Sequence, residues 1–340
     1  MNYRMPAEWE RHEATWLSWP TNTITWPDSL LKKTESIYLR MIAALLPGEK
    51  VNLLVPNQAT GRRVLKALKK TSGLILHETN TVDTWIRDYG PIFVRHLKTK
   101  KIAFTKWTFN AWGGKYDDLA RDNNVVDRVK ALRAYPRFDN PMVLEGGSID
   151  MNGRGTCLTT EQCLLNPNRN PKLTRRGIEK NLEKFLGVKK TIWLKEGIEG
   201  DDTDGHVDDI TRFVAPSTVV TAVENDRADK NHAILKENLR ILKKSTDQDG
   251  KRFRIVELPM PGKVGIGREE DPGDRLPASY ANFYIGNAAV LLPVYSHSND
   301  KLAARILKKV FPRKKIVPIE CTALVYGLGS IHCVTQQQPV

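Results

Sequence analysis

Hydrophobic and polar positions along this chain recur in one order. A pair of short strand-like runs broken by turn residues comes first, then an amphipathic stretch of helical period, then a further strand-like run. Asp88-Tyr89-Gly90-Pro91-Ile92-Phe93-Val94 leads into a run continued at 101–109. Residues 147–150 pass through Met151-Asn152-Gly153-Arg154-Gly155 into 156–159. Residues 210–214 turn at Ala215-Pro216-Ser217 into 218–223, and 282–285 turn at Gly286-Asn287 into 288–294. Each reads as a hairpin, with β-branched and aromatic residues on either side of Gly, Asn or Pro. A last copy is expected at 330–335.

Helical period follows most of these hairpins. Residues 173–186 place Ile178, Leu182, Phe185 and Leu186 on one face, 228–242 do the same with Ile234, Leu235, Leu239 and Leu242, and 302–310 continue the theme. Strands return at 191–194, 253–258 and 316–319. An earlier copy fits 15–19, 29–46 and 51–55. The repeating unit is therefore hairpin, helix, strand, at unequal spacing. No linker, low-complexity stretch or break in composition interrupts it, so a single domain over 1–340 is expected. Residues able to do chemistry sit where the units change element: Asp88 after 74–76, Glu145 at the end of 142–144, an acidic run after 191–194, and Cys333 in the last hairpin. Units arranged about an axis would bring those points together.

Composition narrows the classes. Hydrophobic residues make up 40% and charged residues 27%, as in ordinary globular proteins. No apolar run approaches the roughly 18–20 residues that span a bilayer, and the first residues are too polar for a secretory signal, so a cytoplasmic, membrane-free protein is expected. Four cysteines (Cys157, Cys163, Cys321, Cys333) form no C-x-x-C pair, which argues against structural zinc and a disulfide framework. A formal charge of +14 raises a nucleic-acid reading. The cations, however, are scattered through helix-like stretches such as 62–70, 175–190, 236–244 and 308–315, without interleaved aromatics, and read as solvated faces. No nucleic-acid partner is expected.

The local exception to that basicity is informative. Between Glu199 and Asp209 lie six carboxylates (Glu199, Asp201, Asp202, Asp204, Asp208, Asp209), one histidine and no cation. Such a run invites a cationic ligand or a metal. The metal reading is set aside because the run lacks an EF-hand pattern and the chain lacks an H-E-x-x-H helix. Cys333 alone among the cysteines follows a glycine-rich approach, Gly327-Leu328-Gly329-Ser330-Ile331-His332-Cys333, suited to a nucleophile that a ligand must approach closely. The other three cysteines read as small buried hydrophobes. His332 is read as a packed, hydrogen-bonded histidine, since neighbours in a strand face opposite ways. His206 is the better acid–base candidate: in a strand its i+2 neighbour Asp208 would share its face. Trp85 with Asp88, and Glu145 beside two glycines, complete a set of carboxylates and aromatic walls of the kind a planar guanidinium requires.

At these motifs the chain resembles the agmatine deiminase and bacterial peptidylarginine-deiminase-like family of guanidino-group-modifying enzymes. The resemblance runs from Met5-Pro6-Ala7-Glu8-Trp9-Glu10 through 85–91, Asn110-Ala111-Trp112-Gly113-Gly114-Lys115-Tyr116, 145–150, 158–171, 200–209 and Ser279-Tyr280-Ala281-Asn282-Phe283-Tyr284 to 331–337. It implies a five-bladed α/β propeller of ββαβ-type repeats around a central active site. By motif it makes Cys333 the nucleophile, His206 the proton shuttle and Glu145 the residue that orients His206. Asp88 and Asp208 would grip the guanidinium, Asp202 would be a further substrate-contacting acid, and Trp85 and Trp112 would be apolar walls. The implied reaction turns agmatine into N-carbamoylputrescine and ammonia without cofactor or metal. The rival within the family acts on peptidyl arginine. Oligomeric state is left open, with a homodimer among the outcomes. The sequence carries Leu328 and Ser330 where many agmatine deiminases have Gly and Asn, and Asp204 and Asp209 where some have Asn.

Overall fold

The structure is a computed structural model that describes residues 1–265 and 275–340. Five sheets account for the strands of those residues, and the repeat read from the sequence generates them. Three sheets have three strands: Asp150–Met151, Thr156–Thr160 and Lys190–Leu194; Thr211–Ala215, Thr218–Val223 and Arg254–Pro259; and Tyr284–Ile285, Ala289–Val294 and Lys315–Glu320. In each, the first two strands pair antiparallel as a hairpin and the third adds parallel to the second. A parallel return needs a crossover, which helices Arg175–Leu186, Asn231–Lys244 and Asp300–Val310 supply in the three sheets.

The fourth sheet joins Tyr3–Arg4, Ile92–His96, Ile102–Thr108 and Arg137–Val143. Its crossover is not one long helix but short turns, among them Leu119–Asn124, Val125–Arg128 and Lys130–Ala134. The fifth sheet joins the two ends of the chain. Gln336–Pro339 pairs antiparallel with His12–Ser18, which runs parallel to Lys50–Val55 and on to Leu74–Glu78. The fold is thus a five-bladed α/β propeller whose ring is closed by pairing the last strand with the first blade. Among the described residues no helix is long and apolar enough to cross a membrane.

The helical faces pack as their periodicity dictates. Ile178, Leu182, Phe185 and Leu186 are all buried, and Gly187, in the left-handed conformation (φ 73°), ends that helix. On the next helix Leu235 and Leu242 are buried, but Ile234 and Leu239 only partly, and Asn231 and Asn238 take buried places instead. These two asparagines accept from the backbone N–H of Glu199 and Lys195, both at 2.8 Å. The helix therefore steers the chain into the acidic run.

Two readings of local structure are corrected. The expected hairpin at 330–335 is a turn, in which the Thr335 N–H donates to the His332 carbonyl, and the final strand begins after it at Gln336. His206 and Asp208 do not lie on a strand. His206 precedes the 3-10 turn Val207–Asp209, and the strand begins at Thr211. Glycine and polar side chains that bond their own backbone favoured a turn at both places.

Candidate active site

Each blade contributes a short segment just before a strand that pairs antiparallel with the next strand of its sheet. Asp88 precedes Ile92–His96, Glu145 precedes Asp150–Met151, His206 and Asp208 precede Thr211–Ala215, Asn282 precedes Tyr284–Ile285, and Cys333 precedes Gln336–Pro339. The propeller brings those five segments to one end of its axis. Gly147 marks the point of closest approach. A Cβ added there would lie 2.6 Å from His206 Nδ1, 3.0 Å from Asp88 Oδ1 and 3.1 Å from Asp208 Oδ2. Only glycine leaves room for all three groups.

Asp88 sits in the one-turn helix Ile86–Tyr89, which Pro91 prevents from running on. Its Oδ1 accepts from Gly147 N (3.0 Å) and its Oδ2 from Trp112 Nε1 (2.9 Å). Trp112 itself holds a positive φ of 54°, as does Ala111. Such backbone costs on the order of 1–3 kcal/mol per residue. It persists because Asn110 caps the segment through the Gly113 N–H and donates to the Asn168 carbonyl.

Asp201 builds the loop before His206. It accepts from the backbone N–H groups of Thr203 (2.7 Å), Gly205 (3.0 Å) and His206 (3.0 Å). His206 is 1% exposed, with Nδ1 3.9 Å from Asp88 Oδ1. Burial opposes its cation, but Asp88, Cys163 and Glu145 outweigh burial and hold its pKa well above the usual imidazole value. Glu145 is close to His206 but not bonded to it. Glu145 Oε1 accepts from Arg169 Nε (2.7 Å), while Glu145 Oε2 and His206 Nε2 are both buried without a partner.

Cys333 is held from three sides. Its carbonyl accepts from Arg87 N (3.2 Å), which ties the turn to the Asp88 helix. Asn282 Nδ2 points at its sulfur (3.2 Å) and also donates to Asp209 (2.9 Å). Asp208 Oδ2 lies 3.8 Å from the sulfur and accepts from His332 Nδ1 (2.7 Å); His332 Nε2 meets Glu8 at 2.7 Å. His332 is thus the hydrogen-bonded residue the sequence implied, although it lies in a turn rather than a strand. Burial, reinforced by Asp208, Asp209 and Asp88, pushes the Cys333 thiol well above its ordinary pKa. For Asp208, burial is overcome by the bond to His332, and the carboxylate is held below its usual value.

A cavity of about 790 Å³ opens above this floor. Cys333 and Asp88 lie at its base, and Trp85, Trp112, Tyr116, Asp202 and Leu328 are among the residues lining it. Asp202 accepts from the Tyr116 hydroxyl (2.5 Å) at the wall. Glu145, His206 and Asp208 are not in the lining but lie behind it. The acidic run therefore divides. Asp202 faces the cavity, and Asp208 and Asp209 lie behind its floor against Cys333 and Asn282, whereas Asp204 pairs with Lys115 and Arg169 and Glu199 with Lys230. Among the described residues, two sets bring metal-type donors within 4.8 Å of one another: Glu145, Cys163 and His206, and Asp208, Asp209 and Cys333. In the first, the guanidinium of Arg169 already serves Glu145.

Asn282, Arg169 and Cys163 carry no role in the sequence reading. Asn282 was detectable, because it opens its hairpin where Asp88 opens another. Arg169 lies in the shared motif at 158–171 but in no strand or helix that would have placed it.

Comparison with known proteins fits this geometry. The chain is 38% identical to the agmatine deiminase of Medicago truncatula, covering 99% of this chain and 96% of that one. It superposes on the agmatine deiminase of Enterococcus faecalis with a TM-score of 0.92 at 34% identity, covering 99% and 96% of the two chains. A cysteine-to-serine variant of the C. jejuni agmatine deiminase, solved with substrate bound, superposes at 0.87 with 32% identity, again covering 99% and 96%. Residues 4–339 match the profile of the Porphyromonas-type peptidyl-arginine deiminases, and the chain belongs to that family.

Proposed function

We propose that this protein hydrolyses agmatine to N-carbamoylputrescine and ammonia through a covalent S-amidino intermediate on Cys333. The observation that carries this reading is the convergence of Asp88, Asp208 and His206 at Gly147, with Asp208 3.8 Å from the Cys333 sulfur, beneath a cavity walled by Trp85 and Trp112. The relatives that carry the name agmatine deiminase along their whole length support it.

In the free enzyme the thiol keeps its proton because carboxylates surround it. Two unit charges 3.8 Å apart, as the thiolate and Asp208 would be, repel by about 4 kcal/mol at an effective dielectric constant of about 20. A guanidinium between Asp88 and Asp208 supplies the opposing charge, the thiol gives up its proton to solvent through the cavity, and the sulfur adds to the central carbon. The imidazolium of His206 then protonates one nitrogen of the tetrahedral adduct, and the C–N bond breaks to release ammonia. Neutral His206 takes a proton from water as its oxygen adds to the S-linked amidinium. Collapse of this second tetrahedral carbon breaks the C–S bond and frees the ureido product. The substrate thus activates its own nucleophile.

Ammonia release from agmatine, free arginine and a peptide ending in arginine tests the assignment. Agmatine should be turned over with a kcat/KM at least roughly a hundredfold above the others, since they bring a carboxylate into an acidic cavity. Preference for the peptide would overturn it. A pH dependence follows from Asp88. Burial, with Asp208 and Glu145, raises its pKa to about 6, against the pull of His206. Below that value it is a neutral acid that cannot pair with a cation, so kcat/KM for agmatine should climb as pH rises through about 6 and level off above it. Asp88→Asn should flatten that limb at a much lower rate, which a pH series on both proteins will show.

A further inference from the structure

Arg169 lies outside the cavity, yet it joins both sides of the proposed acid–base histidine. Its guanidinium is wholly buried and every nitrogen is used: Nε on Glu145 Oε1 (2.7 Å), Nη1 on Asp204 Oδ2 (2.5 Å) and Asn168 Oδ1 (2.8 Å), and Nη2 on the Thr203 carbonyl (2.8 Å). Asp204 has a positive φ of 63°, rare for a residue with a Cβ, and lies in the loop that delivers His206. Lys115 Nζ (2.9 Å) and Asn168 Nδ2 (3.0 Å) also hold its carboxylate. Glu145 Oε2, the other oxygen of the carboxylate that Arg169 holds, and His206 Nε2 are both buried without a hydrogen-bond partner.

We propose that Arg169 is the positioning residue of the acid–base histidine, a buried guanidinium that fixes the Asp204 loop and Glu145 relative to each other and so fixes the ring of His206 between them. A planar fork can bond two carboxylates and a carbonyl at once, which an ammonium on a flexible stem cannot do with the same geometry. Displacing a reacting group by about 1 Å costs on the order of a hundredfold in rate. Arg169 is also the cation nearest Glu145. Facing His206 are Asp88 from the helix Ile86–Tyr89, Glu145 from the turn before Asp150, Cys163 from the helix Glu161–Leu164, and Asp201, Asp208 and Asp209 from its own segment. Arg169 lies one carboxylate away, on Glu145, and removing its charge leaves that carboxylate uncompensated toward His206, which favours the imidazolium and moves its titration to higher pH.

This inference rests on the proposed deimination, and wild-type ammonia release from agmatine tests that reading separately. Given an active wild type, Arg169→Gln should lower kcat by roughly 10- to 100-fold with KM within about threefold, because Asp88 and Asp208 still grip the guanidinium. Its kcat–pH profile should move alkaline by roughly one unit. Arg169→Lys, which keeps the charge but not the fork, should lose about tenfold in kcat with the profile in place. A merely structural arginine would lower the melting temperature of both variants and leave the profile of either unmoved. An unmoved profile in Arg169→Gln, or wild-type kcat in Arg169→Lys, would overturn the proposal. If Arg169→Gln does not fold, kcat of Arg169→Lys decides.

Discussion

Cys333→Ser is expected to lower kcat for agmatine by roughly four orders of magnitude or more while agmatine still binds. Among the described residues, the side chains in hydrogen-bond reach of the sulfur are those of Asn282 and Asp208, beside the backbone of Ser330, and neither is an effective base for a hydroxyl proton: the bond to His332 keeps the Asp208 pKa low and Asn282 is neutral. A thiol overcomes that lack of a base because a neighbouring cation brings its pKa within reach. A serine hydroxyl starts several units higher and stays protonated. The groups proposed to hold the cation, Asp88 and Asp208 with the walls Trp85 and Trp112, are unaltered. Steady-state ammonia release together with calorimetric titration separates the two terms. Turnover within tenfold of wild type would remove the covalent mechanism.

His206→Asn should lower kcat by about 10²- to 10⁴-fold, the usual range for losing a general acid–base group. His206 is the imidazole whose Nδ1 shares the Gly147 point with Asp88 and Asp208. Its charged form is favoured by Asp88, Cys163 and Glu145 despite burial, so it reaches the tetrahedral adduct already able to donate. Without it the leaving nitrogen departs as a poor leaving group and water attacks unaided. Because both half-reactions lose the same proton carrier, rapid-quench analysis should show no stoichiometric burst of ammonia. A full burst followed by arrest would confine His206 to the hydrolytic half and contradict its double role.

The repeat was legible because its signals are local. Alternating runs beside Gly, Asn and Pro gave the hairpins, and the stripe Ile178, Leu182, Phe185, Leu186 gave a helix face that is buried as expected. The site was legible in part for the same reason, since one kind of segment, just before a strand of each antiparallel pair, supplies its residues. What escaped depends on contacts between blades. Nothing near Asn282 in sequence shows that it lies between Cys333 and Asp209, and nothing near Glu8 shows that it meets His332 at the other end of the chain. The acidic run illustrates the limit best. Six carboxylates read as one cluster, but turns at Gly200, Asp204 and Gly205, all with positive φ, send neighbouring side chains in different directions. Asp204 goes to Arg169, Asp202 to the cavity wall and Asp208 behind the floor. His206 and Asp208 do lie together at Gly147, as i+2 spacing led one to expect, but on a 3-10 turn rather than a strand.

The account depends on Cys333 being a neutral thiol until a cation enters. Ultraviolet titration of the thiolate, with the Cys333→Ser protein as blank, measures this directly in the free enzyme and with saturating guanidinium ion. The predicted result is no Cys333 thiolate near neutral pH in the free enzyme and its appearance there when guanidinium is added. A thiolate already present at neutral pH without ligand, or a titration that guanidinium does not move, would contradict it.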